Sequence, residues 1–287
     1  MARLAVGGCL SVPGYWPVLL AASLFTSTVL AHEFWLQPAS YRVAVGAPVP
    51  VRLLVGAGFA GTPWPRPTRR VARFVRLGAG ADSTDLRPAL LADSVAPAVR
   101  CPAPGPHLVA LVSQPAFSEL PAAQFTAYLR AAGLGEAERQ REAAGQADQP
   151  GREAYQRCAK TLLLAGAPTA ADTTYRRVLG LPLELVPEQN PYLLQPGAAL
   201  TVRLLQGRRP VPGALLQLWA AGQPLPFATH TNRAGRALLR LPGPGPYLLA
   251  AVQLTAAPAT RRGRADWCST WATLTFGGPA PAPGRAN

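Results

Sequence analysis

The sequence predicts a mainly β protein: two tandem Ig-like, Greek-key β-sandwich domains with a helical insertion between them. Two internal matches, a rhythm of short apolar runs cut by Gly and Pro, and one helical stretch at mid-chain carry that prediction. The first match sets Gly46 to Gly56 on Gly197 to Gly207, with seven of eleven residues identical. The second sets Gly105 to Val112 on Gly245 to Val252, with five of eight identical. Two matches in the same order along the chain indicate a duplicated unit.

The elements follow in order. Residues 1–31 read as a secretory signal peptide: Arg3 is the only charge, Tyr15 to Leu30 is an apolar core, and Val29-Leu30-Ala31 puts small side chains at the −3 and −1 positions of a cut. Residues 32–116 form the first sandwich, with a strand at Val49 to Val55 that starts after a Gly-Ala-Pro turn and stops at Gly56. Residues 117–165 form the helical insertion and a return strand. Leu120, Phe125, Tyr128 and Leu129 have helical spacing, Ser118 is the expected N-cap, and Gly133 and Gly135 break the pattern. Glu136 to Ala147 is polar and reads as a solvent-facing helix or loop. Residues 166–277 form the second sandwich, whose Asn232 to Ala237 segment resembles the carboxypeptidase-regulatory or CNA-B kind. Its strands include Leu200 to Leu205, the alternating Leu215-Gln217-Trp219, and a closing strand from Trp267 to Phe276. Residues 278–287 are a Pro/Ala/Gly tail expected to be disordered.

Composition narrows the function classes. The 287 residues carry 28 Lys and Arg against 14 Asp and Glu, a formal charge of +14. Lys160 is the only lysine, and the arginines fall singly or in pairs with no run or helical stripe, so nucleic acid is excluded as the expected partner. No apolar run of about 18 residues follows the leader, so no transmembrane anchor is expected after cleavage. The expected location is the periplasm or beyond. Beyond Cys9 in the leader stand Cys101, Cys158 and Cys268, which allow at most one disulfide of undetermined pairing and no thiolate metal site. Nucleophile elbows, zinc-protease, phosphate-loop and dinucleotide signatures are all missing, so no enzyme activity is expected.

The chemistry that the sequence does offer begins at His32. A cut after Ala31 would free the α-amine of His32 beside its own imidazole, and the two nitrogens together suit copper or nickel. The other nitrogen donors are His107 and His230, and the oxygen candidates are Glu33, Glu184 and Glu188. His107 aligns with Tyr247 in the repeat, an amphipathic position near a strand start; His230 lies in an expected turn from Ala228 to Asn232.

Several segments together resemble one family. Ala31-His32-Glu33-Phe34-Trp35-Leu36 opens it, and Glu119-Leu120-Pro121 with Phe125 and Tyr128-Leu129 follows. Tyr155 and Ala159-Lys160, Leu183 to Glu188 with Asn190-Pro191, and the closing Trp267 to Phe276 complete the match, with Cys268 where the family usually has Glu. The chain thus resembles the family called domain of unknown function 4198. That resemblance implies an exported protein associated with nickel or cobalt uptake. The expectation is therefore an exported accessory protein that binds a divalent transition metal (nickel, cobalt or copper) through His32, His107 and His230. Its expected partner is an envelope metal transporter or another membrane-associated protein. The alternative is a non-catalytic module that binds an envelope protein or glycan.

Overall fold

A computed structural model of the chain describes residues 1, 33–65, 67–168 and 170–279. The expected signal peptide, His32 and the tail beyond residue 279 lie outside the described residues.

The first half of the chain contributes ten strands. They are β1 (Glu33–Pro38), β2 (Arg42–Val43), β3 (Pro48–Ala57), β4 (Ala60–Pro63) and β5 (Val71–Leu77). There follow β6 (Ser83–Asp85), β7 (Ala98–Arg100), β8 (Gly105–Ser113), β9 (Ala116–Leu120) and β10 (Gly151–Ala165). Short helices α1 (Pro67–Arg70) and α2 (Arg87–Ala92) bridge strands of this half, and α3 (Ala122–Ala131) and α4 (Gly135–Ala143) lie between β9 and β10. The second half supplies β11 (Leu183–Pro187), β12 (Ala199–Gln206), β13 (Arg209–Pro210) and β14 (Leu215–Ala220). It ends with β15 (Phe227–His230), β16 (Arg236–Arg240), β17 (Tyr247–Ala256) and β18 (Trp267–Phe276).

These strands make three sheets. The largest runs β15-β14-β17-β18-β10-β8-β5-β6. One smaller sheet has β3 between β1 and β4, with β7 also on β3; the other has β12 between β11 and β13, with β16 also on β12. The two matched segments thus become equivalent strands. Gly46 to Gly56 supplies β3 and Gly197 to Gly207 supplies β12, each the central strand of a small sheet. The other pair becomes β8 and β17, each one step outside the middle of the large sheet.

The order of the large sheet reads the same from both ends under this equivalence: β15 answers β6, β14 answers β5, β17 answers β8, and β18 answers β10. At its centre β10 and β18 run parallel, from Glu153 opposite Trp267 to Leu162 opposite Phe276. A two-fold axis laid along a parallel pair turns the sheet over, so the two small sheets must cover opposite faces. Alternation along the strands agrees. Leu163 and Ala165 of β10 pack with Phe34, Leu36, Val51 and Leu53 in one core, while Leu162 and Leu164 pack with Leu185, Val202 and Leu204 in the other. Both sandwiches that the repeat predicts are present, and they share one inner sheet.

Three layers explain the composition of the inner strands. All nine residues of β8 are buried, as are Ala159 to Ala165 of β10, because each face meets a cover. Outer strands alternate instead: β16 reads exposed, buried, exposed, buried, exposed over Arg236–Arg240. Each fully buried Leu, Val or Phe in these cores contributes roughly 1.5–3 kcal/mol relative to an exposed one. Cys101, Cys158 and Cys268 are free thiols, and the first two are buried among apolar neighbours as small hydrophobes.

One expected cap is corrected. Ser118 does not start a helix; it lies in β9 opposite Glu153 of β10, and α3 begins after Pro121. The ladder to β10 satisfies that backbone, and Pro121 supplies the break from strand to helix.

Candidate functional site

The face of the large sheet that carries the β1–β3–β4 cover extends beyond it. Past the edge of that cover, β17 and β14 present Ala250, Val252, Leu215, Gln217 and Trp219 on the same face. Helix α3 closes over this exposed shelf from the side. The result is a cleft of about 170 Å³ at the seam of the two halves. Its walls include Glu33, Tyr128, Gln217, Trp219, Val252 and Trp271.

Each wall has a local cause. Glu33 is the first residue of β1, opposite Gly56 of β3. Trp35, two residues on and on the same face, is fully buried against Trp219, Leu248 and Ala250, which anchors the strand edge to the shelf. Helix α3 stops in a Schellman arrangement: Leu134 N–H donates to Leu129 C=O at 2.8 Å and Gly133 N–H donates to Arg130 C=O at 3.1 Å. Gly133 takes φ +69°, and a Cβ there would sit 2.8 Å from Leu215 Cβ, so the helix end lies directly on β14. At the other end of the helix, a Cβ on Gly151 would fall 2.1 Å from the Phe125 ring, so β10 passes tightly beneath α3.

Behind the cleft a buried polar chain orients two of its rings. Trp271 Nε1–H donates to Ser269 Oγ at 3.1 Å, Ser269 donates to Glu153 Oε1, and Tyr128 O–H reaches the same oxygen at 3.4 Å. The Tyr128 and Trp271 rings stack with centroids 5.7 Å apart and planes 21° from parallel. Burial pushes the Glu153 carboxyl above its ordinary range against the hydrogen bonds that hold it down.

Glu33 differs from the other carboxylates named as oxygen donors. Glu184 accepts from Lys160 Nζ at 3.0 Å and from the N–H groups of Leu179, Gly180 and Leu181. Glu188 is bridged by Arg203 and Arg236. Glu33 is only 7 % exposed, and its Oε2 is buried with no hydrogen-bond partner among the described residues. Burial pushes its pKa up to about 7, against a lowering contribution from its own backbone N–H.

His107 and His230, the two histidines among the described residues, do not converge. His107 is buried at the start of β8, with Nε2 2.8 Å from Ala103 C=O and Nδ1 3.3 Å from Arg76 Nη1. The ring therefore donates to the carbonyl and accepts from the guanidinium, leaving neither nitrogen for a metal. The repeat position holds: His107 stands opposite Leu163 of β10 as Tyr247 stands opposite Phe276 of β18. His230 is the last residue of β15, not part of a turn, and is exposed. It lies five strand steps from β8, on the order of 24 Å along the sheet. Among the described residues no group of three or more His, Cys, Asp or Glu is placed to hold a metal ion.

Sequence reasoning named Glu33 as an oxygen donor but missed Tyr128, Gln217, Trp219 and Trp271 as companions. The alternation of Leu215, Gln217 and Trp219 was the available signal: a polar residue between two large apolar ones on one face marks a partly covered surface.

Among the described residues no helix is long and apolar enough to cross a membrane. No characterised protein matches the chain. Among solved structures it is similar to the D0-D1 domain of intimin, at 11% identity and TM-score 0.22, covering 85% of this chain and 97% of that one. It is also similar to dimeric latent PorU from Porphyromonas gingivalis, at 10% identity and TM-score 0.18, covering 85% of this chain and 20% of that one. The family model for the domain of unknown function DUF4198 matches residues 29–255, and the chain belongs to that family.

Proposed function

We propose that this chain is an exported, non-catalytic accessory protein that captures a small ligand in the seam cleft and passes it to an uptake system of the cell envelope. The observation that carries the reading is Glu33. A carboxylate oxygen buried without a partner destabilises a fold by several kcal/mol when charged, and a ligand that meets it would offset that cost. The cleft around it has the make-up of a binding site, mostly apolar with a few polar groups.

A second reading is favoured by the order of the chain. Glu33 directly follows His32, whose amine and imidazole form a two-nitrogen chelate once the leader is cut. In that reading the cargo is a divalent transition metal (nickel, cobalt or copper), Glu33 adds an oxygen donor, and an envelope metal transporter is the partner.

Two measurements test these readings. Native mass spectrometry of the chain recovered from the periplasm should show a small non-covalent adduct, absent in Ala131→Phe, which fills the cleft from α3. A bare mass in both, with no thermal shift against a panel of small metabolites, overturns the capture reading. Calorimetric titration with Ni²⁺, Co²⁺ and Cu²⁺ should show binding to the chain that starts at His32, loss in a form with one Ala added before His32, and weakening in Glu33→Gln. Equal binding in all three forms, or none in the first, overturns the metal reading.

A further inference from the structure

The chain is strongly basic, with 28 Lys and Arg against 14 Asp and Glu, yet among the described residues no side chain lining the seam cleft is basic. Its one ionisable carboxylate is Glu33, more than nine-tenths buried, with Oε2 unpartnered. Three aromatic side chains line the same cleft: Tyr128 stacked on Trp271, and Trp219 across the shelf. The amide of Gln217 is the remaining polar group. A local reversal of sign in so basic a protein selects the charge of the occupant.

We propose that the cleft is a seat for a small organic cation, an ammonium group carried on an apolar body about the size of one ring. Each part of the site has a role in that choice. An anionic ligand would meet Glu33 with no basic side chain among the described lining residues to neutralise it. A neutral apolar ligand would fill the space but leave the carboxylate unpaired in an even drier setting. An ammonium pairs with Glu33, and its positive charge is attracted by the aromatic rings that line the cleft. The volume of about 170 Å³ is close to the ~150 Å³ cavity known to admit benzene, which sets the size of the body. Ala131, Ala250 and Val252 supply apolar walls without donors, so the body itself is apolar.

The inference rests on the reading of the cleft as a ligand seat and names the class of ligand. Benzylammonium, benzyl alcohol and benzoate share one ring and differ in charge, and Trp219 and Trp271 report occupancy by fluorescence. The expected result is saturable quenching by benzylammonium alone, weakened about tenfold or more in Glu33→Gln and lost in Ala131→Phe. Circular dichroism of both variants checks that they are folded. Equal binding of benzyl alcohol, or benzylammonium binding unchanged in folded Glu33→Gln, overturns the cation seat while leaving the capture reading in place. Failure of all three probes overturns it as well, and the native adduct measurement then decides separately whether the cleft holds anything.

Discussion

Lys160 Nζ lies 3.0 Å from Glu184 Oε1, with both side chains 1% exposed, and ties the inner strand β10 to the outer strand β11. The two partners are not equally provided for. Glu184 also accepts from the N–H groups of Leu179, Gly180 and Leu181, whereas among the described residues Lys160 has only Leu185 C=O at 2.9 Å besides its carboxylate. Burial pulls the Lys160 pKa down, and Glu184 opposes that. Glu184→Leu strips a buried cation and three backbone donors together and is expected to cost about 4 kcal/mol or more. Lys160→Met leaves the carboxylate with its backbone donors and is expected to cost about half as much. Urea denaturation of both variants checks the order; a larger loss in Lys160→Met would contradict it.

Helix α3 is held on the sheet by two glycines that leave no room for a side chain. Gly133 carries φ +69° and abuts Leu215, and Gly151 lies under the Phe125 ring. Gly133→Ala incurs the left-handed penalty of about 1–2 kcal/mol and pushes the helix end off β14. Gly151→Ala forces the Phe125 ring or β10 itself to move and is expected to be the more damaging. Thermal melts should rank them so, and hydrogen exchange should rise in α3 before it rises in β8 or β17.

His107 gives the fold a pH dependence of known sign. Burial and the neighbouring Arg76 lower its pKa below 6.5, opposed by the bond to Ala103 C=O and by Asp82 and Asp172. The folded ring stays neutral at a pH where the unfolded ring takes a proton. The unfolded state therefore binds more protons below about pH 6.5, and stability falls as pH falls through that range. His107→Tyr, which copies its repeat counterpart Tyr247, is expected to flatten this step. Urea midpoints at pH 7.5 and pH 5 in both proteins measure it, and an identical drop in the variant would contradict the assignment.

What could be read from the chain was what neighbours in sequence determine. The closing strand Trp267 to Phe276 and the cores of β3 and β12 were legible because alternation and flanking glycines are local signals. The sharing of one inner sheet was not, because the β10–β18 pairing joins residues 114 apart. Its trace was nonetheless present: Leu108 to Val112 and Leu162 to Leu164 are unbroken apolar runs, the mark of strands covered on both faces. Ser118 misled for a related reason, since a residue suited to capping serves equally in a ladder once a partner strand is available. Glu33 was visible as a donor, but the cleft it lines is assembled from β3, β14, β17, β18 and α3, and no local pattern records that.

Glu33 sets the last test, since a binding group kept against stability shows itself when it is neutralised. Among the described residues Oε2 has no donor, and apart from Gln217 the cleft that Glu33 lines is aromatic or aliphatic. At pH 8 the carboxylate is ionised at the expense of the fold, because burial has raised its pKa to about 7 from 4.5. Glu33→Gln removes that charge with almost no change of shape. The variant is expected to be more stable than the native chain at pH 8 by about 3 kcal/mol, an order-of-magnitude figure from the shift. A structural carboxylate would behave in the opposite way, as Glu184 should, losing stability when its charge is removed. Denaturation of Glu33→Gln and Glu184→Gln side by side at pH 8 therefore separates the two roles. A gain at Glu33 with a loss at Glu184 identifies Glu33 as a group held for a ligand, and a loss at both would return it to the framework.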